Sequence, residues 1–203
     1  MNVNSPLAAL LRQATREAHR QLDQHRLLRP LLDARLTHAD YLAALSALYP
    51  GQRWLEQGVQ AGLQTLGLHY PLQLRASMLA ADLAQLHQPV SPGDEVYLAI
   101  ANPAQLIGCL YVLEGARMGS RVIARQVRRT LGQSVPMRFF SAAEDTDADW
   151  PRLWQFAEHH CSPALYQNAA DAARTAFEGV LLRLEQRPVK ADSCCFRELQ
   201  HEP

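Results

Sequence analysis

No stretch of this chain alternates apolar and polar residues with period two for long; apolar residues return every three to four positions instead. A half-buried strand needs alternation and an amphipathic helix needs the longer period, so the pattern leaves helices packed on helices. Leu, Ala, Gln and Arg dominate and β-branched residues are few, which is the composition of an all-α chain. At 203 residues it has the length of one domain or slightly more, enough to bury a sizeable core. The 20 basic and 20 acidic side chains cancel, which argues against wholesale binding to nucleic acid or an anionic membrane. No apolar run reaches the ~18 residues of a membrane span and no signal-peptide core opens the chain, so a cytoplasmic location is expected. Cys109, Cys161 and the pair Cys194–Cys195 lack zinc or C-x-x-C spacing and read as reduced thiols.

Punctuation divides the chain into helices. Asn4-Ser5-Pro6 is a cap followed by a first-turn proline, and the helix it opens runs to about Gln24. Thr37 with Asp40 reads as a capping box opening a long second helix, which Pro50-Gly51 should kink or interrupt. Pro71 is expected to start a third helix through "LQLRASMLAADLAQL". The turn-rich "HQPVSPGDE" then leads to a short segment near Val96–Ile100. A long helix follows from Pro103 to the stop at Gly132, and 133–150 reads as a loop. Two last helices run from Pro151 to about His160 and from Ser162-Pro163 to about Gln186. The expectation is one helical bundle over residues 1–188 and a polar tail over 189–203.

On the first helix Leu7, Leu10, Leu11, Ala14, Ala18 and Leu22 form a broad apolar arc, while Arg12, Arg16, His19 and Asp23 gather in a separate stripe. Such a stripe is most often a solvated face. It can also be a site. An imidazole with a carboxylate one turn later can donate one ring N–H to it, which leaves the other nitrogen for a metal. Two arginines earlier on the same side offer fixed positive charge to ligand carboxylates. A histidine for iron and arginines for propionates together describe the edge of a haem.

The long helix contains "YVLEGARMGSRVIAR". Each interior glycine costs about 1 kcal/mol relative to alanine, so Gly115 and Gly119 together cost about 2. Either a G-x-x-x-G helix crossing offsets that cost, or a flat ligand lies directly against the backbone there. Arg117, Arg121, Arg125, Arg128 and Arg129 make the same helix basic, which is either a solvated face or a docking patch for an acidic electron donor.

Taken together, "LLRQATREAHRQLD" resembles the proximal helix of the haem oxygenases, and "LYVLEGARMGSRVIARQV" resembles their distal helix. The likeness is to the bacterial enzymes, those associated with bacteriophytochromes included. It continues more thinly through "DYLAALSALY", "LAADLAQL", "MRFF" and "ADWPRLWQF". The resemblance implies a haem-oxygenase-type bundle with His19 as iron ligand. It implies Arg12, Arg16 and Tyr111 beside the propionates, and Asp23 orienting the imidazole. Gly115 and Gly119 would admit haem and dioxygen to the backbone, and Phe177 would line the haem. Ser120 stands where many members have a third small residue, and would tighten the distal pocket or add a hydroxyl to it. Ala116 stands where the mammalian enzymes have a water-ordering aspartate, which bacterial members also lack.

The implied reaction is oxidative cleavage of haem, both cofactor and substrate, to biliverdin with release of carbon monoxide and ferrous iron. No flavin or nicotinamide motif is present, so electrons would come from an external ferredoxin, flavodoxin or reductase. The alternative on the same fold is a non-catalytic haem carrier or sensor, which need not keep the glycines. A haem-free thiaminase-like or di-iron protein would need histidine and carboxylate ligands from several helices, and the sequence offers no convincing set. His25, His38, His69, His87, His159, His160 and His201 read as ordinary surface or core histidines, and Phe139 and Phe140 as core.

Overall fold

The computed structural model describes residues 5–88, 90, 98–142 and 149–185. Their helices are α1 (Pro6–Gln24), α2 (His38–Thr65), α3 (Ala76–Gln85), α4 (Pro103–Leu131), α5 (Arg138–Ser141), α6 (Asp149–His160) and α7 (Tyr166–Glu185). Short 3-10 turns at Arg29–Leu32 and Pro163–Leu165 complete them, and no strand occurs among the described residues. The chain is all-α, as its periodicity requires. Asn4 of the first cap, residues 91–97 and the tail from 189, Cys194 and Cys195 included, lie outside the described residues.

Local chemistry sets most boundaries. The Ser5 hydroxyl accepts the Ala8 N–H, and Pro6 needs no partner for a missing one. Thr37 and Asp40 form a reciprocal capping box at the start of α2. The Asn102 side chain accepts the Gln105 N–H, and Gly132, at φ +86°, closes α4.

Helix α7 is the common post of the bundle: α1, α2 and α4 all pack on it. Its inner face is Ala169, Ala170, Ala173 and Ala176, all fully buried, so neighbouring backbones come very close. The tightest approach is at Gly108 of α4. A Cβ there would drive into the carbonyl oxygen of Ala169 and lie 2.8 Å from the Ala173 nitrogen. Both are backbone atoms that no rotamer change can move aside. Gly108→Ala is therefore expected to lower stability by about 3 kcal/mol. That loss should appear as a drop of about 6–12 °C in Tm. A parental melting curve would show that the crossing has slack.

Two apolar clusters share the interior. One joins α1, the second half of α2, the first half of α4, α6 and α7, through residues such as Leu11, Val59, Leu110 and Phe177. The other joins the start of α2, α3, the end of α4 and α5, through Leu45, Leu79, Val127, Phe139 and Phe140. Phe139 and Phe140 are core.

The boundaries that differ from expectation have long-range causes. The third helix begins at Ala76 rather than Pro71, because the Glu56 carboxylate of α2 accepts the N–H groups of Arg75 at 2.7 Å and Ala76 at 3.0 Å. Helix α2 runs uninterrupted through Pro50. The expected loop 133–150 contains α5, whose first two N–H groups, of Arg138 and Phe139, are bound by the buried Asp82 carboxylate of α3. Ser162-Pro163 opens a 3-10 turn, and the last helix starts at Tyr166.

Candidate functional site

The polar stripe of α1 survives folding as an exposed stripe. Arg12, Arg16, His19 and Asp23 are exposed, and Thr15, between the two arginines in sequence, is buried. The His19 Nδ1 lies 3.0 Å from the Asp23 Oδ2, the pairing that four-residue spacing allows. That bond fixes the ring through one nitrogen and leaves Nε2 as the one able to take a metal. The His19 side chain is 60% exposed, so a ligand can reach it. One side of the ring is braced by the buried Phe177 of α7, at a centroid distance of 5.9 Å.

Tyr111 of α4 is buried against Trp150 and Trp154 of α6, with its hydroxyl close to that of Thr15. Burial raises its phenol pKa, and the Thr15 hydroxyl and the charge of Arg12 act against that rise. Tyr111 and Arg12 are therefore neighbours, although they come from helices far apart in sequence. Helices α1 and α4 meet at this contact. From it, His19 lies one turn (about 6 Å) along α1, and Gly115 and Gly119 lie about 6 and 12 Å along α4.

Nothing among the described residues comes within 4 Å of a Cβ built on Gly115 or Gly119. A helix crossing is thus not what offsets these glycines; that role belongs to Gly108, which the sequence reading did not single out. Met118 and Val122 fall on the same side as the two glycines and are 51% and 55% exposed. The result is an open, uncharged stripe that runs two turns along α4.

The opposite side of the same turns is buried and polar. Tyr70 donates to Glu114 Oε1 at 3.0 Å, and Arg117 donates to Glu114 Oε2 at 2.9 Å and to Gln73 Oε1 at 2.7 Å. Arg75 Nη1 donates to the Ser120 hydroxyl at 3.1 Å, and that hydroxyl donates to the Ala116 carbonyl. The Arg75 guanidinium is fully buried, lies over the Phe139 ring at 4.7 Å, and is pulled by burial down to about 10. Glu56 and Glu114 supply the balancing negative charge.

Ser120 thus points into this network, so its hydroxyl is committed to Arg75 and Ala116 rather than to the open stripe. Arg117 is likewise buried and does not belong to a solvated basic face, and Arg128 donates to the Ser141 hydroxyl. Arg125 and Arg129 remain exposed. Tyr70, Gln73, Arg75 and Glu56 were not singled out from the sequence. The one available signal was an arginine inside the apolar run "LQLRASML".

Among the described residues no group of three or more His, Cys, Asp or Glu side chains could hold a metal ion, and no helix is long and apolar enough to cross a membrane.

Comparison with known proteins gives one consistent answer. The family model for heme oxygenase matches residues 5–181. A heme oxygenase from Xanthomonas campestris pv. campestris is 32% identical over 142 residues, which cover 69% of this chain and 83% of that protein. The solved heme oxygenase of Leptospira interrogans superposes with a TM-score of 0.69 at 17% identity, over 89% of this chain and 98% of its own. Heme oxygenase-1 of the cyanobacterium Synechocystis, in complex with heme, gives a TM-score of 0.65 at 16% identity, over 89% and 91%. The NO- and CO-bound enzyme of Neisseria meningitidis gives 0.62 at 18%, over 88% and 89%.

Proposed function

Since the chain belongs to the haem oxygenase family of enzymes, we propose that it binds haem between α1 and α4 and cleaves it oxidatively to biliverdin, carbon monoxide and ferrous iron. The observation that carries this reading is the pairing of an accessible, carboxylate-oriented imidazole on α1 with two open glycines on α4, the two helices meeting at Thr15 and Tyr111.

The residues fit the ligand. His19 would hold the iron through Nε2, with Asp23 fixing the ring on the other nitrogen. Arg12, Arg16 and Tyr111 would meet the propionates, two as fixed charges and one as a hydroxyl. Phe177 would pack beside the proximal imidazole. Gly115 and Gly119 would let the macrocycle approach the α4 backbone, and Met118 and Val122 would give the cleft an apolar wall.

The bound haem supplies both the iron at which dioxygen is reduced and the carbon framework that is opened. The chain's own contribution would be orientation: one neutral imidazole nitrogen from His19 to hold the iron, fixed charges from Arg12 and Arg16 for the ligand's carboxylates, and a stretch of α4 without side chains at Gly115 and Gly119. Electrons come from an external protein donor, and the exposed Arg125 and Arg129 are the part of the α4 basic run left to meet it. A haem carrier would use His19 and the arginines but would gain nothing from the two open glycines.

Haemin titration followed by ascorbate and chromatography of the product tests the reading. A Soret band and biliverdin are expected. A stable Soret band with no ring-opened product would make the protein a carrier, and no band would end the haem reading.

The arginines are expected to seat the ligand rather than retain it, because exposed charge pairs contribute little and burial of the ring contributes most. Arg12→Ala with Arg16→Ala should reduce haemin affinity about tenfold at most. The same pair should change the ratio of biliverdin isomers. An unaltered ratio would leave both residues as solvated charges.

A further inference from the structure

The polar residues of the 70–75 segment meet α4 in order: Tyr70 at Glu114, Gln73 at Arg117, Arg75 at Ser120. These α4 positions repeat at three-residue spacing on the side opposite Gly115 and Gly119, so the three contacts brace from behind the very turns that are open in front. The segment is not helical. In a helix, residues 73 and 75 would point about 160° apart, and the three could not all face α4. Its far end is pinned separately, by the Glu56 carboxylate on the Arg75 and Ala76 N–H groups.

The arrangement is costly as a source of stability. Two arginines and two carboxylates are removed from water, and the Arg75 Nη2 finds no hydrogen-bond partner among the described residues. Apolar side chains of similar volume would often stabilise such a position as well or better. What directed bonds provide, and apolar contact does not, is one fixed register between two elements.

We propose that Tyr70, Gln73 and Arg75 are positioning residues: the three contacts fix the height and rotation of the Gly115–Gly119 face over the bound macrocycle, and so decide which edge of the ring is presented for oxygenation. This rests on the haem reading given above, and the two can be tested separately.

The experiment uses the full chain in parental, Tyr70→Phe, Arg75→Met and Arg75→Lys forms, with haemin and exogenous imidazole as probes. Hydrogen exchange of amides 115–119 in the ligand-free chain should quicken about tenfold in Tyr70→Phe and Arg75→Met. Haemin affinity should stay within about threefold, because the His19 side is distant from the change. Imidazole, a bulky distal ligand, should bind the ferric haemin complex about tenfold more tightly once the α4 face is released. The biliverdin isomer ratio should shift, and Arg75→Lys should recover part of each change. Tyr70→Phe removes a single hydroxyl and leaves Arg117 on Glu114, so it decides the matter even if Arg75→Met does not fold. Parental exchange, imidazole affinity and isomer ratio in a folded, haemin-binding Tyr70→Phe would overturn the proposal alone. A parental chain that takes up no haemin would overturn the haem reading, and this inference with it.

Discussion

His19→Ala is expected to lose the imidazole-ligated haem spectrum and to lower biliverdin formation by at least about a hundredfold. Of the eight histidines in the chain, His19 is the one paired with a carboxylate among the described residues. Its side chain is also accessible and braced by Phe177, so no other imidazole among the described residues stands ready to replace it. The substitution empties a site on an exposed helix face, and the fold should survive it. Imidazole added in solution should then restore the spectrum and part of the activity. A parental Soret band in the variant would move the iron ligand elsewhere.

Substitutions at Gly119 should separate stability from activity. A Cβ at this position meets nothing within 4 Å among the described residues, and alanine is the better helix former. Gly119→Ala should therefore stabilise the ligand-free protein by about 0.8–1 kcal/mol. Gly119→Leu should also fold, since its side chain enters open space, and should keep a Soret band through His19. Its branched side chain would fill the room the oxygen needs, so ring opening should fall below detection. Gly115→Leu should behave alike. Gly108→Ala is the contrast within one helix, destabilising where Gly119→Ala stabilises. Biliverdin from Gly119→Leu at the parental rate would mean that α4 does not cover the reacting face. A destabilised Gly119→Ala would instead reveal a helix contact at the open face.

Features encoded within a few residues were legible in the sequence. The caps at Ser5 and Thr37–Asp40, the start at Pro103 and the stop at Gly132 are local, as is the four-residue step from His19 to Asp23. What escaped is set by partners far along the chain. Glu56 delays the third helix from 19 residues away, and Asp82 starts α5 from 56 residues away. The spacing of five arginines suggested a basic face, yet Arg117 lies on its inner edge, where Glu114 and Gln73 receive it. Glycines at 108, 115 and 119 look alike in sequence. Only the position of Ala169, 61 residues beyond Gly108, makes that glycine a crossing and leaves the other two as wall.

The closeness of the Gly108 crossing has a mechanical consequence. Backbone held against backbone there cannot slide without a clash, so once the contacts at Glu114, Arg117 and Ser120 are released the motion left to α4 would be a tilt about that point. Gly119 lies 11 residues away, a lever arm of about 16 Å along the helix axis. A tilt of about 5° would carry it roughly 1.4 Å, more than enough to admit or expel a diatomic ligand. A fulcrum that close to the interior would let the cleft change its gape in a chain without those three contacts, while the alanine-lined seam beneath it stays shut.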